Sequence, residues 1–446
     1  MFAFTIPAAA LAAVYRARLG AARRRRHARY AAEARDRGVV VANPAKLRAK
    51  KEAFARAGGA GALRVVADFD YTLTRFWADA PANTVRAFSS HRTIEDSGLL
   101  SDAYHARVKA MQQKYYPLEV STTLSHEEKL AHMIDWWNGA HETLVNDACG
   151  FRRAHIREAV RRARAQEPHA RLLLRPGAAQ FMNALHAAGV PLLVFSAGVA
   201  DVLEEVVRAS WPAGRTGNPI DRAGSRVTVA SNRMRFGAGV AFAVEGMMCA
   251  ANCGATVRRA LAAVAGVARA WVDFPAARAT VVLEEGADAA AAAAACVEAV
   301  EDVGFGCAVV DSETTDRLVG FSRPLYHLYS KRASAIAATA RAGGREATRI
   351  AQGSPFFREA GARPCVLLVG DSLGDLRMAD GADNAQEVLT VGFLNDRVEA
   401  RLPSYAEAFD VVVVGDAGFG AVNELLAELL QVEWGVDPLI GGRGVL

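Results

Sequence analysis

The chain has 446 residues, 52% of them apolar and 23% charged, and a formal net charge of +5. That is long enough for two or three domains around a large core and ordinary for a soluble protein. The charge excess lies in the first 32 residues, where Arg16, Arg18, Arg23, Arg24, Arg25, Arg26 and Arg29 meet no acid. The rest is near neutral, so no nucleic-acid polymer is expected as a partner. Cysteines stand only at 149, 249, 253, 296, 307 and 365, too scattered for a disulfide framework, which fits a reducing compartment.

In chain order, residues 1–37 form a basic leader. The Ala/Arg-rich, acid-poor composition of Met1–Tyr30 is that of an organellar transit peptide, although Thr5 is its one serine or threonine. A solvated tail and a membrane-surface segment are the competing readings. The apolar start over residues 1–15 is too short to span a bilayer, and no other segment is long enough. Stable membrane insertion is therefore not expected. The expected location is the cytoplasm or, if the leader is a transit peptide, the mitochondrion or plastid.

Residues 38–62 read as a short helix and a glycine-rich turn. Leu63–Ala67 reads as a buried parallel strand that runs into Val66-Ala-Asp68-Phe-Asp70-Tyr-Thr72-Leu-Thr74. Residues 85–175 are helical, with a capping box at Ser125 and Glu128. Strands alternating with helices then return: strands at Val190–Phe195, Val227–Ala230, Cys365–Val369, Val388–Gly392 and Val411–Val414, and helices at Val199–Ala209, after Leu376, and at Ala421–Val432. This order predicts a doubly wound, mostly parallel sheet with ligands at the carboxyl ends of its strands. Residues 238–312 interrupt it with the order βαββαβ, a small ferredoxin-like unit.

The strand-end residues carry a chemistry. Phosphoryl transfer from a monoester needs an in-line nucleophile, a proton donor and cations. Asp68 can attack phosphorus to form an aspartyl-phosphate. Asp70 can protonate the leaving oxygen and then activate water. Asp371, in Val369-Gly-Asp371-Ser-Leu-Gly374-Asp375, can complete an oxygen shell for Mg²⁺ with Asp68 and the Asp70 carbonyl, and Asp375 can orient the ion's waters. Ser196 and Lys331 can hold the phosphoryl oxygens, Ser196 with help from N–H groups near a helix start. Asp-x-Asp alone usually caps a turn; four such elements in order outweigh that reading.

Within residues 38–236 and 318–432, several strings resemble the cytosolic 5′-nucleotidase III, or pyrimidine 5′-nucleotidase, family of the haloacid dehalogenase (HAD-like) superfamily. They are Ala67–Phe76, Lys114–Val120, Phe195–Glu205, Val229–Asn232, Gly370–Gly381 and Gly392–Arg397. The resemblance implies magnesium-dependent hydrolysis of a nucleoside 5′-monophosphate of pyrimidine or 7-methylguanosine type. It also implies a helical cap over the base, and substrate contacts from Glu119, Ser196, Ala197 and Lys331. Where the family tends to carry a base-site serine before a histidine, this chain has Ala140 before His141; that hydroxyl is missing, which leaves base preference open.

Between the serine and the lysine lies Gly246-Met-Met-Cys249-Ala-Ala-Asn-Cys253. Two thiols at a helix start favour soft ions, Cu(I) before Zn(II). The string and the βαββαβ order resemble the heavy-metal-associated domain, which implies a metal-chaperone partner; three residues between the cysteines, where two are usual, depart from it. A redox dithiol and an inert loop are the other readings of Cys249 and Cys253. Met248 is a candidate extra ligand, against core packing of Met247 or Met248. The expected division is a leader (1–37), a HAD-like core (38–84, 176–237 and 313–435), a helical cap (85–175), a heavy-metal-associated-like domain (238–312) and a tail (436–446). The alternatives to a metal-modulated nucleotidase are a metal carrier or sensor on a hydrolase scaffold and a phosphatase for another small ester.

Overall fold

In the computed structural model, residues 8–431 are described apart from 120, 122, 148–149, 212–216, 223, 238, 285–286, 312–316, 323–325 and 327–329; side chains are described from residue 21, except those of Arg23, His126 and Asp311. The expected tail and Cys149 lie outside them.

The strands are β1 (Val39–Val40), β2 (Leu63–Ala67), β3 (Leu192–Val199), β4 (Val227–Asn232), β5 (Met234–Gly237), β6 (Gly239–Glu245), β7 (Val267–Asp273), β8 (Arg278–Leu283), β9 (Gly306–Asp311), β10 (Arg317–Phe321), β11 (Cys365–Gly370), β12 (Glu387–Leu394) and β13 (Val411–Val414). Every residue of β2 and β11 is buried, which requires helices over both faces of their sheet. Even Arg64 is buried, its guanidinium over the Phe356 ring and bonded to the Phe356 and Asp383 carbonyls. The sheet runs β1-β13-β12-β11-β2-β3-β4. Its pairings are parallel except that of β1 with β13. Chain order reverses on either side of β2, the switch point where α/β sheets open a crevice for ligands.

Between β2 and β3 lie the helices Ser90–Glu95, Asp102–Glu119, His126–Val145, Arg153–Ala165 and Ala178–Ala187. The Ser125 capping box forms, with the Ser125 N–H donating to Glu128 and the Glu128 N–H to Ser125 Oγ. β5 and β10 pair as an antiparallel hairpin, Met234 opposite Phe321 and Gly237 opposite Arg317. Between them β6–β9 form an antiparallel sheet in the order β7-β8-β6-β9. With the helices Ala255–Ala262 and Ala289–Glu301 it encloses a separate core that includes Phe242, Val257, Leu261, Val281 and Cys296.

One expectation changes. The helix expected after Leu376 is a 3-10 run over Leu373–Ala379. Asp375 Oδ2 accepts from the N–H groups of Asp371 and Ser372 and from Ser372 Oγ, which tightens the turn. Met247 packs against the small core, while Met248 is 87% exposed. Residues 24–37 of the expected leader are helical and tied to the body. Tyr30 is buried, Arg26 pairs with Glu407 at 3.1 Å, and Arg29 donates to the Ala42 carbonyl. Among the described residues no helix is long and apolar enough to cross a membrane.

Candidate active site

The adjacent strands β11, β2 and β3 end side by side, so the side chains just past their carboxyl ends converge. Asp68, Asp70, Ser196, Ala197, Lys331, Asp371 and Asp375, from four separate stretches of sequence, line one cavity of about 490 Å³. Carboxylate oxygens of Asp68, Asp371 and Asp375 lie within 4.8 Å of one another. Lys331 Nζ is 2.6 Å from Asp68 Oδ1 and 2.6 Å from Asp375 Oδ1. Thr72 Oγ1 donates to Asp68 Oδ2 at 3.3 Å.

The electrostatics follow from crowding. Burial pushes the Asp68 carboxyl up to about 7 against the pull of Lys331, and Asp375 adds to the rise. Burial also lifts Asp70 to about 6, and it lifts Asp371 well above the usual carboxylate range with Asp375 and Asp68 adding to it. Burial alone would push the Lys331 ammonium down; Asp375 and Asp68 outweigh it and hold it up. An excess of buried acid with converging oxygens suits a hard divalent cation such as Mg²⁺, which takes carboxylate and carbonyl ligands. Asp375 already serves three donors in its own turn, so it fits the outer shell better than Asp371 does.

β3 ends in the irregular stretch Ser196–Val199. The Gly198 N–H donates to Ser196 Oγ at 2.9 Å, and Ser231 Oγ donates to the Gly198 carbonyl. Asn232 Nδ2 reaches the Ala197 and Tyr326 carbonyls. Asn232 thus fastens the Ser196 stretch to the segment that delivers Lys331.

Two supporting residues carry no sequence motif. Ser90 donates to both Asp70 oxygens, from its N–H at 2.9 Å and its hydroxyl at 2.7 Å. Arg175 is 1% exposed. Its guanidinium donates to the carbonyls of Tyr71 at 2.6 Å, Thr72 at 2.8 Å and Ala417 at 2.8 Å, and to Asn395 Oδ1 at 2.7 Å. It also pairs with Asp416 at 2.6 Å. Tyr71 has φ +65°, a left-handed conformation costly for a bulky residue. Arg175 and Asn395 hold its carbonyl and so hold the turn that follows the two aspartates.

The far end of the cavity belongs to the helical segment. Glu119, Trp136, Trp137, His91 and Ala140 line it. Trp137 meets His91 edge-on at 4.1 Å, and Trp136 stacks on Tyr115 at 6.0 Å. Burial lifts the Glu119 carboxyl. The cavity is therefore lined by the acids and Lys331 on the one hand and by aromatic side chains with the carboxylates Glu95 and Glu119 on the other.

Cys249 and Cys253 are outside this cavity. Their sulfurs are 3.9 Å apart across a π-type turn, Ala250–Gly254. The backbone N–H groups of Cys253 and Asn252 hold the Cys249 thiol below its ordinary value.

The family profile described as pyrimidine 5′-nucleotidase (UMPH-1) matches residues 71–253 and 308–430. The 7-methylguanosine phosphate-specific 5′-nucleotidase of Homo sapiens is 28% identical over 375 residues, covering 84% of this chain and 87% of that protein. The protein of the same name from Drosophila melanogaster is 22% identical over 370 residues, covering 83% and 81%. The crystal structure of cytosolic 5′-nucleotidase IIIB bound to cytidine superposes with a TM-score of 0.57 at 20% identity, over 89% of this chain and 95% of that one, and shares the fold.

Proposed function

The chain belongs to the pyrimidine 5′-nucleotidase family and is a 5′-nucleotidase hydrolase, and from that premise we propose a magnesium-dependent enzyme that releases phosphate from a nucleoside 5′-monophosphate of pyrimidine or 7-methylguanosine type. The observation that carries this reading is the single cavity with Asp68, Asp70, Ser196, Lys331 and Asp371 at one end and Glu119, Trp136 and Trp137 at the other.

Asp68 attacks phosphorus; its carboxylate oxygen forms the new bond as the bond from phosphorus to the 5′-oxygen breaks. Asp70 gives its proton to that oxygen, and the nucleoside leaves. Asp70, now a carboxylate, takes a proton from water as the water oxygen attacks phosphorus. The bond to Asp68 then breaks and frees phosphate. Lys331, Ser196 and the backbone around Ala197 hold the phosphoryl oxygens in line. Asp68, Asp371 and the Asp70 carbonyl would hold Mg²⁺, with Asp375 in the outer shell. Bound there, Mg²⁺ supplies charge that offsets the transferring phosphoryl group. At the other end Glu119 accepts from an exocyclic amine of a base laid against the tryptophans.

The test is phosphate release with and without Mg²⁺ from UMP, CMP, AMP, GMP and 7-methyl-GMP, with Asp68→Asn as control. Turnover of pyrimidine or methylated nucleotides that the control loses supports the reading. Turnover of other small phosphate esters alone moves the chain to a different phosphatase class, and no turnover leaves a scaffold for the cysteine loop.

A second element rests on the 3.9 Å sulfur separation. We read residues 238–312 as a ferredoxin-like, heavy-metal-associated-like domain whose Cys249 and Cys253 take a soft ion. Two thiols suit linear Cu(I) better than Zn(II), which takes four ligands in structural sites. The ion is read out through the cap: Arg269 pairs with Glu142 at 3.2 Å, and Arg317 lies over the Trp271 ring and donates to the Asp147 carbonyl. Cu(I) titration of the protein and of its Cys249→Ala/Cys253→Ala variant, with nucleotidase rates at each loading, tests both parts. Binding lost in the variant and a rate that follows loading are expected; equal binding or a flat rate defeats the corresponding part.

A further inference from the structure

We infer that Ser90, the first residue of the first cap helix, is a positioning residue for the acid that protonates the leaving nucleoside. This rests on the reading of Asp70 as that acid.

Ser90 is fully buried. Its N–H donates to Asp70 Oδ1 at 2.9 Å and its hydroxyl to Asp70 Oδ2 at 2.7 Å. Two donors from one residue, one on each oxygen, fix both the position and the plane of the carboxyl group. The same hydroxyl accepts from the Val199 N–H at 3.1 Å. One Ser90 oxygen therefore joins the acid to the stretch that carries Ser196, and its donor and acceptor capacity are both used.

Gly198 leaves room for this. A Cβ there would lie 2.1 Å from Ser90 Oγ and 2.8 Å from Asp70 Oδ2. Strand β2 alone does not hold the acid, because Asp70 lies three residues beyond its end. The other supports of this turn, Arg175 and Asn395, reach backbone carbonyls and not the Asp70 carboxyl. Ser90 belongs to the cap-side helix Ser90–Glu95, whereas Asp68, its Lys331 partner and Asp371 belong to the core. The acid is thus in register only when that helix is seated against β3. The nucleophile needs no such contact.

That asymmetry gives the test. kcat/KM reports steps up to departure of the alcohol. A nucleoside 5′-oxygen needs a proton to leave; the phenolate of p-nitrophenyl phosphate does not. In the Mg²⁺-loaded full chain, Ser90→Ala is expected to lower kcat/KM for the preferred nucleotide by about 10- to 100-fold and that for p-nitrophenyl phosphate by far less. The aryl ester reads the integrity of the fold, of Asp68 and of the phosphoryl site in the same sample. Equal losses on both substrates, or no loss on either, would overturn the role of Ser90. Asp70→Asn separates the two levels of the argument. If it spares nucleotide turnover, the assignment of the acid is wrong. If it shows the selective loss and Ser90→Ala does not, Ser90 alone is misassigned.

Discussion

Replacing Arg175 by methionine removes the cation that ties the catalytic turn to the far end of the sheet. Both side chains of the Arg175–Asp416 pair are essentially unexposed, at 0% and 1%. Removing one partner of such a pair costs about 3–5 kcal/mol, because the other charge stays buried. Asp416 keeps the N–H groups of Phe76 and Trp77, each at 2.9 Å, which holds this cost to about 3 kcal/mol. The Thr72 and Ala417 carbonyls lose a donor as well, adding on the order of 1 kcal/mol. At roughly 2 °C per kcal/mol for a chain of this size, the melting temperature falls by about 8 °C. Nucleotide turnover falls by about 100-fold, because the released Tyr71 turn carries Asp70 with it. Thermal melts by circular dichroism and phosphate release measure the two effects. Arg175→Met/Asp416→Asn removes both charges and is expected to regain about 2 kcal/mol over the single variant. A single variant that melts within a degree or two of the parent, or a double variant no more stable than the single, would refute the reasoning.

Other outcomes follow from the same geometry. Gly198→Ala pushes a methyl against Ser90 and Asp70, so kcat is expected to drop by about 100-fold with little change in KM; steady-state kinetics decide this. Burial alone would raise the Asp410 carboxyl, but Lys50, the Thr390 N–H and Lys46 hold it below its ordinary value. A depressed folded-state value gives stability that is present above about pH 4 and lost as pH falls further. Asp410→Asn should therefore lower the melting temperature at neutral pH and flatten its fall in acid, and an unchanged acid slope counts against the network. Ala140→Ser adds a hydroxyl to the wall of the aromatic end; ratios of kcat/KM among bases are expected to shift by about tenfold, and unchanged ratios place Ala140 out of reach of the base.

The site was largely legible because its acids follow strands with plain sequence signatures. Asp68, Asp70 and Asp371 each come just after a short apolar run, and parallel pairing of β2 with β3 and β11 brings those ends together. Lys331 could be picked out only as a member of that series. Ser90 and Arg175 could not be. A serine that starts a helix is the commonest of capping residues, and an arginine before Pro176 reads as surface charge. Their importance arises from contacts across 20 and 104 residues of sequence, which no local pattern encodes. The hairpin of β5 and β10 was legible only through the unit inserted between Phe236 and Leu318, since residues 238–316 separate its strands. β1 escaped notice because two residues carry no period.

That hairpin has a thermodynamic consequence. Gly237 and Arg317 face each other in register, so while β6–β9 stay folded the long excursion between them acts on the hairpin as a tight turn would. If the excursion unfolds, the hairpin must close a flexible loop of roughly 80 residues in place of a turn of about four, a little over four doublings in length at about 0.6 kcal/mol each. On the order of 2.5 kcal/mol of loop-closure entropy then falls on the pairing of β10, the strand that leads to Lys331. The small sheet thus acts as an entropic clasp, and whatever steadies it steadies the route by which the lysine reaches the two aspartates.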